Sequence, residues 1–181
     1  RTLEETLAGQ MDHPSFPVHL TEMGAEMVFH GVSDRKPVEV DAGDGTKAVI
    51  RAAPGNHPNG VWAYRVDHAG RSVVYATDTE HYAVVDKKLL KLSQGADVLI
   101  YDSQYTPEEY AGETGGTPKL GWGHSTFEEA VKLAKAANVK KLVLYHHDPM
   151  QNDAAVAEKE KRARALFPNA EAAREGLVIE L

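Results

Sequence analysis

The sequence contains no cysteine, which excludes a disulfide framework, a thiolate metal site and a cysteine nucleophile. Any metal must be held by imidazole and carboxylate groups. No apolar run approaches the length of a membrane span and no signal-like segment opens the chain. A membrane partner is therefore not expected, and the cytoplasm is the default compartment. Positive charge is also scarce: 20 Lys and Arg stand against 27 Asp and Glu, a net charge of -7. Binding to a phosphate backbone draws on basic patches. The basic runs at residues 132–141 and 159–164 read instead as solvated helix faces. Repeats and low-complexity tracts are absent, and 181 residues suffice for one domain or a large piece of one.

What is present is a β-rich first half followed by alternating helices and strands. Leu3, Leu7 and Met11 mark a first helix. The chain thus opens at Arg1 without a methionine and reads as starting in mid-protein. Alternating apolar positions predict a strand over 27–32. Asp44-Gly45 predicts a hairpin between 38–40 and 48–52, and a second hairpin joins 61–66 to 72–76 across His68, Ala69 and Gly70. Beyond Asp86 the pattern predicts helices over 87–92, 127–137 and 154–166, buried strands over 98–101 and 142–145, and a closing strand over 177–181. Thr126 and Glu129 have the spacing of a capping box. Residues 104–122 form the one extended loop, and loops of that length are often functional.

Four side chains sit at strand ends or just outside elements: His57, Asp78, His124 and His146. One histidine just before a helix N-terminus and another at the end of the next buried strand converge on one rim of an α/β sheet, where ligand and metal sites are built. Imidazoles with a carboxylate suit zinc, manganese or iron. Each residue also has a plain structural explanation: His57 as a turn residue beside Pro58, Asp78 as a turn cap, His124 as part of a capping region. His13, His19, His30, His68 and His81 fall in amphipathic or turn positions and take the structural reading. Asp102 leaves a second buried strand. It could hold one ring nitrogen of His124 and leave the other to donate a proton to a leaving oxygen, or it could simply cap a loop.

Together these motifs resemble the C-terminal part of the metallo-β-lactamase-fold hydrolases. The likeness is to the phosphodiesterase branch that includes RNase Z and the phosphoribosyl cyclic phosphate phosphodiesterase. The resemblance runs from about His57 to the C-terminus, with His57 and Asp78 separated by 21 positions and His124 and His146 by 22. It implies an α/β fold, an αββα sandwich incomplete at its N-terminus, with residues 1–181 as the C-terminal portion of a single domain. It implies two divalent metal ions in the complete protein, zinc or manganese with iron as a further option. His57, the bridging Asp78 and His146 would be ligands, His124 would assist cleavage, and Asp102 would orient His124.

The family's His-x-His-x-Asp-His segment does not occur here and would lie upstream of Arg1. A further segment or a partner chain would have to complete the site, and a homodimer is compatible with that. The implied function is a metal-dependent hydrolase, a phosphodiesterase acting on a small or cyclic phosphodiester through a hydroxide held between the metals. Tyr105, Tyr110 and Trp122 of the long loop would shape its pocket. Bacterial RNase Z carries a long arm where this sequence has only a tight hairpin before Asp78. With the acidic charge, that leads to the expectation of a small substrate and no transfer RNA. Hydrolysis of a lactone or thioester, and a non-catalytic fragment holding half a metal site, stand as alternatives.

Overall fold

The computed structural model describes residues 2–181, in two units divided after Val32. The first unit holds α1 (Leu3–Gln10), opened by Thr2, whose hydroxyl accepts the Glu5 N–H while the Glu5 carboxylate accepts the N–H of Thr2. The strand expected over 27–32 does not form. An alternating pattern makes a strand only where a neighbour completes its hydrogen bonds, and here Val28 is left 68% exposed.

The second unit contains β1 (Val38–Asp41), β2 (Lys47–Pro54), β3 (Trp62–His68), β4 (Arg71–Ala76), α2 (Lys87–Ser93), β5 (Val98–Asp102), α3 (Pro107–Ala111), α4 (Phe127–Ala136), β6 (Lys141–Tyr145), α5 (Asp153–Leu166) and β7 (Ala170–Ala172). The strands form one sheet in sequence order. β1 to β4 are antiparallel, and β4 to β7 are parallel. Both hairpins fall where the sequence places them. The second closes through Ala69 and Gly70, both at positive φ (49° and 76°), the geometry whose twist matches the flanking strands. Because β2 lies two antiparallel steps from β4, it runs the same way as β4, β5 and β6. The segments leaving all four strands therefore share one edge.

Period-2 alternation gives the sheet two faces. On one, Ala63, Val74, Ala76, Leu99, Tyr101, Leu142 and Leu144 pack with Leu89, Phe127, Ala130 and Ala163 of α2, α4 and α5 into the core. The other carries Ile50, Tyr64, Val66, Val73, Tyr75, Ile100, Val143 and Tyr145. The rings of Tyr75 and Tyr145 meet edge to face there, 5.9 Å apart, yet remain 42% and 40% exposed. The α/β class expected from the sequence is present. Among the described residues it takes the form of one seven-stranded sheet with α2, α4 and α5 packed on one face.

Three local expectations change. The closing strand is β7, not 177–181: Val178 is 80% exposed, while Ala170 and Ala172 pair beside Leu142 and Leu144. The long loop contains α3, which has a full capping box from Thr106 and Glu109, Pro107 in its first turn and left-handed Gly112 after its end. At α4 only half of the expected box forms: Thr126 accepts the Glu129 N–H, but the Glu129 carboxylate is engaged by Lys132. No helix among the described residues is long and apolar enough to cross a membrane.

The edge of the sheet where β5 begins is pinned by Asp97. Its carboxylate accepts from the Ser72 N–H at 2.8 Å and the Ser72 hydroxyl at 3.2 Å, and from Lys140 at 2.7 Å. The Lys140 hydrogen bond, then the Ser72 donors, hold its pKa down to about 2. A carboxylate depressed in the folded state contributes stability above its unfolded pKa and loses it as pH falls through the folded value. Asp97→Asn should lower the urea midpoint at neutral pH. It should also flatten the fall in midpoint between the ordinary Asp pKa of 3.8 and about 2; equilibrium unfolding at a series of pH values checks both.

Candidate functional site

Two of the residues singled out from the sequence occupy unusual backbone positions. Asp78, just past β4, and His146, just past β6, have φ of 55° and 57°, the left-handed region that side chains with a Cβ rarely adopt. Asp and His tolerate it better than most residues. The turn swings both side chains over the shared edge, where Asp78 Oδ1 lies 3.1 Å from His146 Nε2. The other ring nitrogen of His146, Nδ1, is buried and has no hydrogen-bond partner among the described residues.

His57 reaches the same edge from the segment after β2. That segment is stitched to the one after β4: the Glu80 N–H donates to Asn56 O at 2.7 Å, and the Asn56 N–H donates to Thr79 Oγ1 at 3.0 Å. The His57 ring stands edge-on to His124 with centroids 5.8 Å apart. Gly123 makes this approach feasible. Its φ is +90°, and a Cβ there would collide with the His57 ring, so both backbone and space demand glycine.

Asp102 is fully buried at the end of β5. Oδ1 accepts the N–H of Ser125 at 2.9 Å and that of Gln104 at 3.2 Å, and Oδ2 faces His124 Nδ1 at 2.9 Å. An acceptor-only carboxylate puts the proton on Nδ1 and leaves Nε2 for a substrate or an ion. The Asp102 hydrogen bond raises the pKa of His124 above the ordinary histidine value, against the opposing effect of burial. The His124 ring stacks on His146 with centroids 4.6 Å apart.

The structure thus brings His57, Asp78, Asp102, His124 and His146 into one cluster. Donor atoms of His57, Asp78 and His124 lie within 4.8 Å of one another, and so do those of Asp102, His124 and His146. An all imidazole and carboxylate set with an unpartnered buried nitrogen fits a borderline divalent cation such as zinc or manganese. Tyr105 lies against this cluster but is only 2% exposed, its ring 6.3 Å from that of His124, so it is a wall behind the histidine. Trp122 is 52% exposed, with Lys119 Nζ 4.0 Å over its ring.

Two residues escaped the sequence reading. Glu80 is buried and takes three donors from the long segment: Tyr110 Oη at 2.6 Å, and the N–H groups of Gly121 at 2.7 Å and Gly123 at 3.0 Å. Burial works to raise its pKa and these donors outweigh it, so the carboxyl stays below its ordinary value. Its partners lie 30 to 43 positions away, and no local pattern marks it. Lys159, read from sequence as part of a solvated basic face, is instead almost completely buried. Its Nζ donates to Ser103 O and Gln151 Oε1, both at 2.7 Å, and burial pushes its pKa down to about 8. It therefore supports the backbone that leaves Asp102.

The sequence profile described as the beta-lactamase superfamily domain matches residues 3–147. Ribonuclease Z of Prochlorococcus marinus (strain MIT 9312) is 34% identical over 115 residues, covering 62% of this chain and 34% of that protein. The chain thus spans about a third of the length of that curated relative. Among solved structures, the metallo-β-lactamase fold protein YhfI from Bacillus subtilis superposes with a TM-score of 0.62 at 22% identity, covering 82% of this chain and 54% of that one. The short form of human tRNase Z superposes with a TM-score of 0.52 at 20% identity, covering 74% and 43%. These relatives overturn one expectation. Transfer RNA was excluded on net charge and a short hairpin, yet curated relatives that this chain matches carry the name ribonuclease Z, and the exclusion does not stand. Net charge is a sum over the whole surface and does not decide what one face binds.

Glu80→Ala should release the segment that ends at Gly123. Hydrogen exchange at the amides of Gly121 and Gly123 is expected to speed up by about tenfold or more, while amides of β5 and β6 keep their protection; mass spectrometry of exchanged peptides makes the comparison.

Proposed function

The chain belongs to the beta-lactamase superfamily, and from that premise we propose that the complete protein is a metal-dependent hydrolase of phosphodiesters. The observation that carries the reading is the meeting of Asp78 and His146, 3.1 Å apart on two left-handed turns, beside a histidine already paired with a buried carboxylate. Held strain of this kind concentrates at functional sites. Divalent ions held by His57, Asp78 and His146 would activate the attacking water and take up charge on the phosphoryl oxygens.

The remaining chemistry falls to the chain's own groups. Asp102 fixes Nδ1–H of His124 and favours the imidazolium, so Nε2 presents a proton to the leaving oxygen. Its raised pKa supports that role. Trp122, half-exposed at the end of the segment that Glu80 ties down, would contact the substrate, with Tyr105 behind His124. Three protein ligands are too few for two metals. We place the remaining ligands in protein beyond these residues and read this chain as the C-terminal portion of one sandwich. The apolar sheet face bearing Tyr75 and Tyr145 supports this, being a surface suited to a second sheet.

Two substrate readings follow from different observations. The tight turn at Ala69 and Gly70 leaves no long arm and favours a small or cyclic phosphodiester. The ribonuclease Z relatives favour a transfer RNA precursor. A panel holding a cyclic ribose phosphodiester, a 3′-extended transfer RNA, a lactone and a thioester separates them. Turnover of the lactone or thioester alone would overturn the phosphodiester reading.

Asp78→Ala should remove both bound metal and turnover from the whole protein. His124→Ala should keep the metal content while turnover falls by roughly 10²- to 10⁴-fold, the usual range for a general acid. Elemental analysis beside kinetics tests the division of roles, and equal metal loss in both variants would make His124 a ligand instead.

A further inference from the structure

A cavity of the second unit lies apart from this cluster. About 670 Å³ in volume, it lies between residues 33–37, the helix-bearing face of β2 and β3, and α2. Arg35, Lys36, Arg51, Arg65, Lys88 and Lys91 line it against only two carboxylates, Asp34 and Asp67. None of His57, Asp78, Asp102, His124 or His146 contributes to it. In a chain of net charge -7, six cations around one cavity are a marked reversal of sign.

The cations are not equivalent. Arg65 is spent on structure: Nε pairs with Asp67 at 2.9 Å, and Nη1 donates to Leu92 O and Gln94 O at the end of α2. Arg51 shares the same Asp67. These two share one carboxylate and keep a single net positive charge on the floor of the cavity. Arg35, Lys36, Lys88 and Lys91 form no ion pair among the described residues and are exposed. A second basic hollow farther along the same face differs in this respect, since Lys47 is paired with Glu39, and Arg71 and Lys140 with Asp97.

We propose that this cavity is a docking site for the phosphodiester backbone of RNA. Free cations on separate walls over a fixed floor suit a chain of phosphates better than one anion. A single phosphate needs converging rigid donors, whereas a backbone is held by a row of independent charges that release counterions. The placement fits a strand feeding the catalytic edge. Arg51 stands three residues before the end of β2, ~10 Å along an extended strand, and β2 leads on to His57.

The inference does not rest on the hydrolase reading, because its readout is binding, and a protein without activity would still display it. Bulk transfer RNA is titrated into the whole protein by fluorescence anisotropy at salt concentrations from about 50 to 200 mM. The Lys88→Glu, Lys91→Glu double variant should bind at least about tenfold more weakly and lose about two from the salt slope. Arg35→Ala with Lys36→Ala, on the opposite wall, should move both quantities the same way. Lys132→Glu with Lys135→Glu, on α4, should move neither, and coincident thermal melts establish that all variants are folded. Equal losses in the α2 and α4 variants would overturn the proposal. So would displacement of the RNA by an equimolar mononucleotide, which would make the cavity a small-phosphate pocket.

Discussion

The site depends on one buried carboxylate. Asp102 is fully enclosed, and an enclosed carboxylate without partners carries an effective penalty of several kcal/mol. It must therefore find donors, and those it finds come from three places: Gln104 just beyond its strand, Ser125 at the start of α4, and the His124 ring. Satisfying one charge thereby locks a strand end, a helix start and an imidazole into a single arrangement. The locking extends further, because the Ser125 hydroxyl donates to Thr79 O at 2.6 Å, and Thr79 in turn accepts the Asn56 N–H. Three strand ends, those of β2, β4 and β5, are tied together by a chain of hydrogen bonds that starts from Asp102.

Against that fixed frame, the two left-handed residues are the parts under load. A residue with a Cβ gives up about 1–2 kcal/mol in that region. The shared edge takes this at both Asp78 and His146, on strands separated only by β5. Nothing in the packing of β4 or β6 calls for it, since Ala76 and Leu144 already complete the core below. What the turns achieve is proximity of a carboxylate and an imidazole at the sheet edge, with the other nitrogen of that imidazole left unpartnered. Strain that serves no packing purpose and converges metal-binding groups is read most directly as preorganisation.

Local signals in the sequence were legible wherever the physics is local. Gly45 and Gly70 mark the two hairpins by the positive φ that glycine adopts readily, and the buried runs at Val98 and Leu142 specify central strands. The histidines and acids at strand ends could be placed on one rim because parallel strands emerge on the same side. The failures have equally specific causes. β7 is three residues, two of them alanine, so it carries neither β-propensity nor a visible period. Residues 177–181 carry both and find no partner strand. α3 was within reach, since Thr106, Pro107 and Glu109 form a start signal inside the presumed loop. Glu80 and Lys159 were not, because the donors of one and the acceptors of the other lie mostly 30 to 56 positions away.

Charge is where reasoning from composition went furthest astray. The excess of acids is real, but many of the acids are paired: Glu108 with Arg162, Glu171 with Lys141, Asp97 with Lys140. Paired charges contribute little field at a distance, so the surface potential follows the unpaired groups and where the fold puts them. At ordinary ionic strength a charge is felt over ~10 Å, less than the span of a sheet of seven strands ~4.8 Å apart. A polyanion approaching α2 therefore meets Lys88, Lys91, Arg35 and Lys36, not the whole-chain total. Those residues sit in separate stretches of sequence and become neighbours only through the packing of α2 on β2 and β3. Summing charges over the chain discards the spatial information on which recognition of a nucleic acid depends.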